Sequence, residues 1–356
     1  MNNQGKDKLK SILIAPSDPF LGNEFFNADN KILNRDNTLE PGIELKNVLK
    51  SKGYDLNTMD IGNIDEAEWL IFFDSHKSKD YFKYCLSKKL NYKMILMLWE
   101  PPVTSGVALD RQYHFLFRYV LTWNDDLVDN KKYYKFYIPQ PLYKKSIQSV
   151  PFSQRKLVTL ITGHKFSIHP KELYSERRKA INYFSKMVPQ DFDFYGMGWG
   201  RDAFHFSKNP VRLAKNIIKY LMNPRLSSFK GMVEDKVETL ARYKFSICYE
   251  NMRDIRGYVT EKIFHCMYAG CIPVYWGASN ITDYIPADCF IDKRKYSYKS
   301  LYNYLLKIDC QQYEKYQEAI KQFLKGEGFQ RFSIQRFIET LCSFLVTEDN
   351  HKGAYQ

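Results

Sequence analysis

Residues 243–291 read YKFSICYENMRDIRGYVTEKIFHCMYAGCIPVYWGASNITDYIPADCFI, and this stretch predicts one strand, helix, strand unit of a parallel sheet. The run KFSICY is typical of a buried strand, and IPVYW of a second one. Between them, Thr260 is placed to cap a helix that Gly270 ends. Ligands bind parallel sheets at the edge where strands give way to helices. Five polar residues gather at this edge: Glu250, Asn251, Tyr258, Glu261 and Lys262.

The stretch resembles the donor-binding signature of the alpha-1,3-fucosyltransferase family, which reads roughly Phe-Glu-Asn-Ser, Tyr-Val-Thr-Glu-Lys, Ala-Gly-x-x-Pro-Val, a Gly, and Ile-Pro-Ala-Asp-Ser-Phe-Ile. The chain departs from this signature at three positions, where Tyr249 stands for Phe, and Met252 and Cys289 each stand for Ser. The match is specific because so many identities keep the family's spacing. The matching pieces are Glu250-Asn251, Tyr258-Val259-Thr260-Glu261-Lys262, Ala269-Gly270, Pro273-Val274, Gly277, Ile285-Pro286-Ala287-Asp288 and Phe290-Ile291.

This resemblance implies a fold and a reaction. The fold would be GT-B, an α/β architecture of two facing Rossmann-like domains with a cleft between them. The reaction would be an inverting transfer of fucose from GDP-fucose to a hydroxyl of a glycan acceptor that contains N-acetylglucosamine or glucose, in an alpha-1,3 linkage. Such a glycosyltransferase would serve surface polysaccharide synthesis, such as lipopolysaccharide, or protein glycosylation. A different deoxysugar nucleotide is the alternative donor, because no residue here identifies the base as guanine.

Glu100 is the candidate general base. An inverting transfer needs a carboxylate that deprotonates the acceptor hydroxyl while the diphosphate leaves from the other side. Glu100 directly follows the apolar strand KMILMLW and precedes Pro101-Pro102, which would end the strand and hold the side chain at the sheet's carboxyl edge. The family is similar here, with a glutamate just past a strand of its first domain. A surface glutamate at a strand end is the other interpretation.

Cations are needed for the leaving diphosphate, and Lys262 is the first candidate. In the first turn of a helix it would add to the exposed amides and the positive end of the dipole. Without a bound anion, a lysine there opposes the dipole. By its alignment with the family, Arg177 is the second candidate, although Arg178 is one residue away and stays open. A guanidinium suits phosphate oxygens, but either arginine could be an exposed helix charge.

The resemblance also implies donor contacts for the other polar residues of the signature. Glu261 would contact ribose or sugar hydroxyls, although an acid in a first helical turn is favoured by the dipole alone. Asn251 and Tyr258 would contact the sugar or the phosphates, and a packed ring is the competing interpretation for Tyr258. Glu250 is assigned to the donor site with them.

The chain alternates strands and helices throughout, which favours mostly parallel sheets. The first series runs from Ser11 to about Gln140, and a second one begins with KLVTLIT. The polar segment 143–154 between them is the best candidate linker. We therefore predict an N-terminal Rossmann-like domain on the acceptor side over 1–150, a Rossmann-like donor domain over 151–330, and a C-terminal helix over 331–356 that in GT-B folds crosses back to the first domain.

The bulk composition favours a globular enzyme. At 356 residues with 44% hydrophobic content, the chain can form two cores of ordinary size. No apolar run reaches the length that crosses a bilayer, and the polar start MNNQGKDKLK leads directly into the first strand. Compared with animal members of the resembling family, which carry a membrane span, these features predict a bacterial-type cytoplasmic enzyme.

The net charge of +13 implies an acidic partner. Arg212, Lys215 and Lys219 fall between apolar residues at helical spacing, which suits a peripheral contact with the anionic inner face of a membrane. A core-packed helix with a solvated basic face explains the same pattern. Nucleic-acid binding is a remote alternative, since no recognised motif accompanies the charge. A nicotinamide-dependent dehydrogenase would need a glycine fingerprint after the first strand, where SILIAPSDPF stands instead.

Metal and thiol chemistry are not expected. Asp191 and Asp193 resemble a metal-binding pair, but they lie in an alternating strand pattern, and the family needs no such pair. We therefore predict no essential metal or cofactor besides the donor substrate. The seven cysteines lack a paired spacing and read as reduced core residues.

Overall fold

The structure, a computed structural model, contains eleven strands in two sheets within the residues that it describes, which are 9–148, 150–199, 209–211, 213, 214, 217 and 227–346. Every pair of neighbouring strands is parallel. The strands are β1 (Lys10–Ala15), β2 (Tyr54–Thr58), β3 (Trp69–Phe73), β4 (Met94–Leu98), β5 (Tyr119–Thr122), β6 (Tyr133–Lys135), β7 (Lys156–Ile161), β8 (Phe192–Tyr195), β9 (Tyr243–Tyr249), β10 (Ile272–Trp276) and β11 (Ile291–Asp292).

The first six strands form one sheet in the order β2-β1-β3-β4-β5-β6, and the last five form another in the order β11-β10-β9-β7-β8. The α-helices of the described residues surround these sheets. They are α1 (Glu40–Ser51), α2 (Asp80–Ser87), α3 (Arg111–His114), α4 (Tyr174–Met187), α5 (Lys236–Leu240), α6 (Glu261–Tyr268), α7 (Tyr298–Lys307), α8 (Cys310–Lys325), α9 (Glu327–Gln330) and α10 (Ile334–Leu345).

The chain divides into two units. The first contains the described residues up to Leu142 and those from Phe329 onward, and the second runs from Tyr143 to Gly328. In the first unit β4 is buried on both faces, as expected for a parallel strand between two helical layers. The C-terminal helix α10 belongs to this unit, where it lies against α1.

The second unit has its own apolar core, in which side chains of β7, β9 and β10 pack with α4, α7 and α8. This core holds the carboxyl end of β9 beside the start of α6, where the predicted donor residues lie. Gly270 ends α6 with a φ of 62°, a left-handed conformation that favours glycine. Its carbonyl accepts a hydrogen bond from the guanidinium of Arg155 at 2.8 Å, which fixes the return into β10.

Two strands and three α-helices were missed from the sequence. The segment YDLNT of β2 alternates buried and half-buried residues, but Asp55 and Asn57 hide the pattern of a strand. Strand β11 and the helices α3, α5 and α9 are too short to show a period. The prediction that all cysteines are core residues was wrong for Cys310, which is exposed, and for Cys342, which is partly exposed, whereas the other five are buried free thiols.

Among the described residues, no helix is both long and apolar enough to cross a bilayer. The basic residues predicted to contact a membrane, Arg212, Lys215 and Lys219, lie outside the described residues.

Candidate functional site

The site in the second unit is organised by Glu250, which follows β9 directly and has no exposed surface. One carboxylate oxygen, Oε1, accepts a hydrogen bond from the backbone amide of Thr260 at 2.9 Å. The other, Oε2, accepts from the hydroxyl of Thr260 at 2.7 Å and from Nζ of Lys262 at 3.2 Å. The buried carboxylate therefore ties the end of β9 to the start of α6.

Helix α6 begins at Glu261, so Thr260 occupies the predicted N-cap position, but its side chain does not cap the helix. Its hydroxyl instead donates to Glu250 and accepts from Nζ of Lys262 at 2.9 Å. The prediction of a side-chain cap was wrong: the hydroxyl oxygen accepts a hydrogen bond from the charged ammonium of Lys262 rather than from an amide of the helix. The first-turn amides of α6 are thus not satisfied by the Thr260 side chain.

Lys262 lies between two carboxylates, at 3.2 Å from Glu250 and 3.6 Å from Glu261. Burial lowers the pKa of Lys262, but the two negative charges outweigh burial and raise the pKa above its ordinary value. The lysine therefore stays protonated. The conflict expected between its charge and the helix dipole is relieved within the protein by these two carboxylates.

Glu261 is more accessible, with 44% of its side chain exposed. Burial raises the pKa of its carboxyl, whereas the positive charges of Lys262, Lys236 and His265 lower it and prevail, bringing the pKa to about 2. Glu261 is therefore an anion at neutral pH and can accept hydrogen bonds from hydroxyl groups.

Arg177 on α4 reaches the same strand end. Its guanidinium is buried and donates to the carbonyl of Tyr249 at 2.7 Å, to Oδ1 of Asn251 at 3.1 Å and to the hydroxyl of Thr162 at 3.3 Å. Burial lowers the pKa of Arg177, and the negative charge of Glu250 counteracts this effect. The structure thus brings Arg177 together with Asn251 at the edge of the sheet.

Arg178, the alternative that the sequence left open, lies elsewhere. Its guanidinium donates to the carbonyl of Lys165 at 2.6 Å and stands 4.2 Å from the ring centre of Phe166. Consecutive residues of a helix are rotated by about 100° around its axis, so the two arginines of α4 lie on different faces.

The loop from Glu250 to Thr260 is shaped by backbone contacts. The amide of Gly257, which has a φ of 79°, donates to Oδ1 of Asn280 at 2.9 Å. Tyr258 is buried, so its side chain offers no exposed surface for the predicted contact with the donor. Met252, a departure from the family signature, is buried and pairs through its backbone with Glu172.

Gly277 leaves room for Glu250. A Cβ at this position would lie 2.4 Å from Cγ of Glu250 and 2.3 Å from the hydroxyl of Tyr275. Because both neighbours are buried, no side chain fits there without displacing the carboxylate that holds Lys262.

Glu100 lies in the first unit, two residues past the end of β4. It lines a cavity of about 660 Å³ together with Trp99, Phe73 and His76. The backbone amides of Trp99 and Glu100 both donate to Oδ1 of Asp74, each at 3.0 Å.

Asp74, which lines the same cavity, was missed from the sequence. It directly follows β3, and Glu100 lies two residues past β4, so the rule that selected Glu100 could have found it. The pKa of Asp74 is raised to about 7, because burial and the negative charge of Glu100 together outweigh the bonds from the two amides, which lower it.

Within the described residues, no group of three His, Cys, Asp or Glu side chains could hold a metal ion. Asp193 on β8 and Asp191, which directly precedes this strand, both bond to other side chains. Asp193 is 2.9 Å from Nζ of Lys156 and accepts from the hydroxyl of Tyr243 at 2.8 Å. Asp191 accepts from the hydroxyl of Tyr302 at 2.7 Å.

A model of the C-terminal region of glycosyltransferase family 10 (fucosyltransferase) matches residues 173–355, just over half of the chain. The chain belongs to this family. The matched region contains Arg177, the loop after β9 and helix α6, so every donor residue predicted above lies within it. The recognition of a fucosyltransferase family from the signature is confirmed.

Two relatives of this family 10 chain match it over limited segments. Alpha-(1,3)-fucosyltransferase FucT of Helicobacter pylori is 45% identical over 49 residues, which are 14% of this chain and 10% of that protein. GDP-fucose protein O-fucosyltransferase 3 of Bos taurus is 33% identical over 141 residues, which are 37% of this chain and 28% of that protein. The chain thus matches well under two thirds of the length of either relative.

A solved structure of an alpha1,3-fucosyltransferase is similar over nearly the whole fold. It covers 98% of this chain and 93% of its own, with a TM-score of 0.54 and 15% identity. This likeness confirms the predicted fold class, two parallel-sheet α/β domains of the GT-B type.

Proposed function

We propose that this family 10 chain is an inverting fucosyltransferase that moves fucose from GDP-fucose to a hydroxyl of a glycan acceptor. The observation that carries the proposal is the ammonium of Lys262, which the buried carboxylate of Glu250 holds at the start of α6. A fixed cation beside helix amides suits the phosphates of a sugar nucleotide. The family to which the chain belongs supports fucose as the sugar.

The two cations would act on the leaving diphosphate. As the acceptor oxygen bonds to C1 of fucose, the bond from C1 to the phosphate oxygen breaks and its electron pair leaves with GDP. Lys262 and Arg177 would stabilise the charge that grows on the phosphate oxygens. Arg177 already bonds to Asn251 and the end of β9, so its guanidinium is held in place before the donor arrives.

Other residues of the site would position the donor. Glu261, an accessible anion, would accept hydrogen bonds from ribose or sugar hydroxyls. Asn251 would contact the donor through its amide nitrogen, since its Oδ1 is bound to Arg177. Tyr258 is buried and would shape the wall of the site. Both oxygens of Glu250 are engaged by Thr260 and Lys262, so its role would be to hold Lys262.

Glu100 would act as the general base. Its place past the end of β4, on a cavity of the first unit, suits a carboxylate that meets an acceptor hydroxyl. The proton of that hydroxyl would pass to Glu100 as the new glycosidic bond forms. The reaction then balances with GDP and a protonated Glu100 as its products, besides the fucosylated acceptor.

The finer assignments rest on the resemblance. An alpha-1,3 linkage to a glycan with N-acetylglucosamine or glucose, a role in surface polysaccharide such as lipopolysaccharide, and a cytoplasmic enzyme that touches the membrane through Arg212, Lys215 and Lys219 all belong to this proposal. A different deoxysugar nucleotide is the alternative donor. The name of the Bos taurus relative adds a peptide hydroxyl to the acceptors that merit testing.

The donor is tested first by ligand-induced thermal stabilisation. GDP-fucose and GDP should raise the melting temperature, and GDP-mannose, UDP-glucose and dTDP-rhamnose provide the comparison. Stabilisation by another sugar nucleotide without any by GDP-fucose would overturn the choice of donor. Transfer is then measured with a panel of glycan and peptide acceptors. Glu100→Gln should abolish transfer while the affinity for GDP stays within about twofold of wild type, and turnover within a few-fold of wild type would remove Glu100 as the base.

A further inference from the structure

The carboxylate of Asp74 bonds to two consecutive backbone amides at the position where Glu100 leaves the sheet. Strand β4 ends at Leu98, and its pairing with β3 ends with Phe73 opposite Met97. The amides of Trp99 and Glu100 lie beyond this pairing, and Oδ1 of Asp74 accepts both of them at 3.0 Å. The Asp74 side chain therefore accepts these two amides at the point where the pairing with β3 has ended.

The backbone of Asp74 is itself held in an unusual conformation. Its φ is 51°, in the left-handed region, which aspartate tolerates better than most residues. Its amide donates to the carbonyl of Met97 at 2.9 Å, and its carbonyl accepts from the hydroxyl of Tyr113 at 3.3 Å. The same hydroxyl accepts from the amide of His76 at 3.2 Å. Asp74 thus combines a left-handed backbone with hydrogen bonds at both its amide and its carbonyl. Residues held in such conformations are common at functional sites.

We propose that Asp74 is a positioning residue for Glu100: its carboxylate fixes the backbone of Trp99 and Glu100, so that the Glu100 carboxylate is presented to the acceptor in one orientation. This inference rests on the proposed function, in which Glu100 is the general base. It extends that function by adding a second carboxylate, which acts through the backbone that carries the base. A displacement of about 1 Å at a reacting group can cost on the order of 100-fold in rate, which is the effect that Asp74 would prevent.

The positioning should depend on pH, because an ionised acceptor binds amides more strongly than a protonated one. Asp74 has a pKa of about 7 as a result of its burial and of the negative charge of Glu100. As the pH rises through about 7, Asp74 becomes ionised and its bonds to the two amides strengthen. Catalysis should therefore improve over the same interval.

Four other titratable groups lie close to Asp74 or line the same cavity. Tyr113 faces it from α3, and burial raises the pKa of that phenol far above neutrality. Across the cavity, burial lowers the pKa of His76 from its ordinary value. Lys79 and Asp18, which line the same cavity, form an ion pair at 2.5 Å. A change near pH 7 that Asp74→Asn removes is therefore assigned to Asp74 and its coupling with Glu100.

The matched pair of variants is Asp74→Asn and Asp110→Asn. Asp110 is in the same unit, and its carboxylate also accepts a backbone amide, that of Tyr113 at 3.0 Å, but it does not line the cavity. Asp74→Asn should lower kcat about tenfold, with KM for GDP-fucose unchanged, and Asp74→Ala should lower kcat on the order of 100-fold. The wild-type rate should rise with an apparent midpoint near pH 7. That inflection should be absent in Asp74→Asn and present in Asp110→Asn.

A second measurement does not require activity. Labelling with ¹⁵N-tryptophan gives a spectrum of only five backbone amides, in which Trp99 is assigned by its loss in Trp99→Phe. The Trp99 amide should titrate with a midpoint near pH 7 in wild type, at a lower pH in Glu100→Gln, and not at all in Asp74→Asn. This readout reports the bond from Asp74 to the backbone directly, whichever sugar the protein transfers.

The outcomes separate the two proposals. If Glu100→Gln keeps wild-type turnover, Glu100 is not the base and the positioning role falls with it, whatever the Trp99 amide shows. If Glu100→Gln is inactive but Asp74→Asn and Asp110→Asn have the same rates and pH profiles, the proposed function stands and the inference about Asp74 is overturned. A Trp99 amide whose signal does not change within about one pH unit on either side of 7, the raised pKa of Asp74, would also overturn it.

Discussion

Nζ of Lys262 lies 3.2 Å from Oε2 of Glu250, a carboxylate with no exposed surface. A buried anion thus fixes the cation that is proposed to meet the donor's phosphates. The ammonium has little freedom to lose when a phosphate arrives, because Thr260 and Glu250 already hold it. Such preorganisation favours binding by reducing the ordering that accompanies it.

Removing the charge of Glu250 should destabilise the second unit. In Glu250→Gln, Lys262 and the nearby Arg177 lose their shared counter-charge, and an amide group replaces one acceptor of the Thr260 and Lys262 bonds. The cost should be about 1–3 kcal/mol, seen as a lower melting temperature without nucleotide. The double variant Glu250→Gln/Lys262→Met should lie closer to wild type than the sum of the two single changes, by about 1 kcal/mol. Strict additivity would show that the two side chains do not interact.

Gly277→Ala tests the close approach to Glu250. The new methyl group would stand 2.4 Å from Cγ of Glu250, so the carboxylate must shift or the strand must move. We expect a loss of about 1–3 kcal/mol in stability and weaker binding of GDP. Gly106→Ala is the control, because a Cβ there meets nothing within 4 Å. If Gly277→Ala melts and binds GDP as Gly106→Ala does, the contact does not constrain the site.

The sequence predicted which residues meet at the end of β9, but not what each side chain bonds to. Glu250 follows the predicted strand, and Thr260 and Lys262 stand at the start of the predicted helix. The sequence therefore places all three where the strand gives way to the helix. Whether the Thr260 hydroxyl accepts from a helix amide or from Lys262 depends on where the carboxylate of Glu250 lies, since that carboxylate binds both side chains. Burial of a single polar atom follows from tertiary packing, which the local pattern does not contain.

The position of Arg177 beside Asn251 agrees with the helical spacing of the sequence. Ile181 and Phe184 follow Arg177 at the helical spacing of four and seven, and both are fully buried, so Arg177 shares their face. Arg178 does not have that spacing. Asp74 was missed for a different reason: the rule applied to Glu100 was not extended to the neighbouring strand, although parallel strands end at the same edge.

Neighbouring arginines therefore provide a matched test of the phosphate site. Arg177→Lys keeps the charge but removes the fork that bonds to Tyr249 and Asn251, so the affinity for GDP should fall about tenfold or more. Arg178→Lys changes a guanidinium that bonds to the carbonyl of Lys165, and GDP affinity should stay within about twofold. Calorimetric titration with GDP measures both. Equal losses in the two variants, or a loss confined to Arg178→Lys, would contradict the assignment of Arg177.

Glu261 gives a prediction for acid conditions. Its pKa is lowered from 4.5 to about 2, since the cations around it outweigh its burial. A carboxyl with a lowered pKa stabilises the fold above its unfolded pKa, and that contribution is lost as the pH falls through the folded value. Glu261→Gln should therefore melt below wild type at pH 7, and the difference should narrow steadily as the pH falls from about 4.5 toward 2.

The control for this titration is Glu318→Gln on α8, where a largely exposed carboxylate lies 3.7 Å from Nζ of Lys321. An exposed pair of this kind contributes little, so Glu318→Gln should follow the wild-type melting temperature at every pH. The comparison separates the effect of the positive groups around Glu261 from the general effect of acid on the protein. If the difference in melting temperature between Glu261→Gln and wild type is the same at about pH 3 as at about pH 7, Glu261 does not stabilise the fold as an anion.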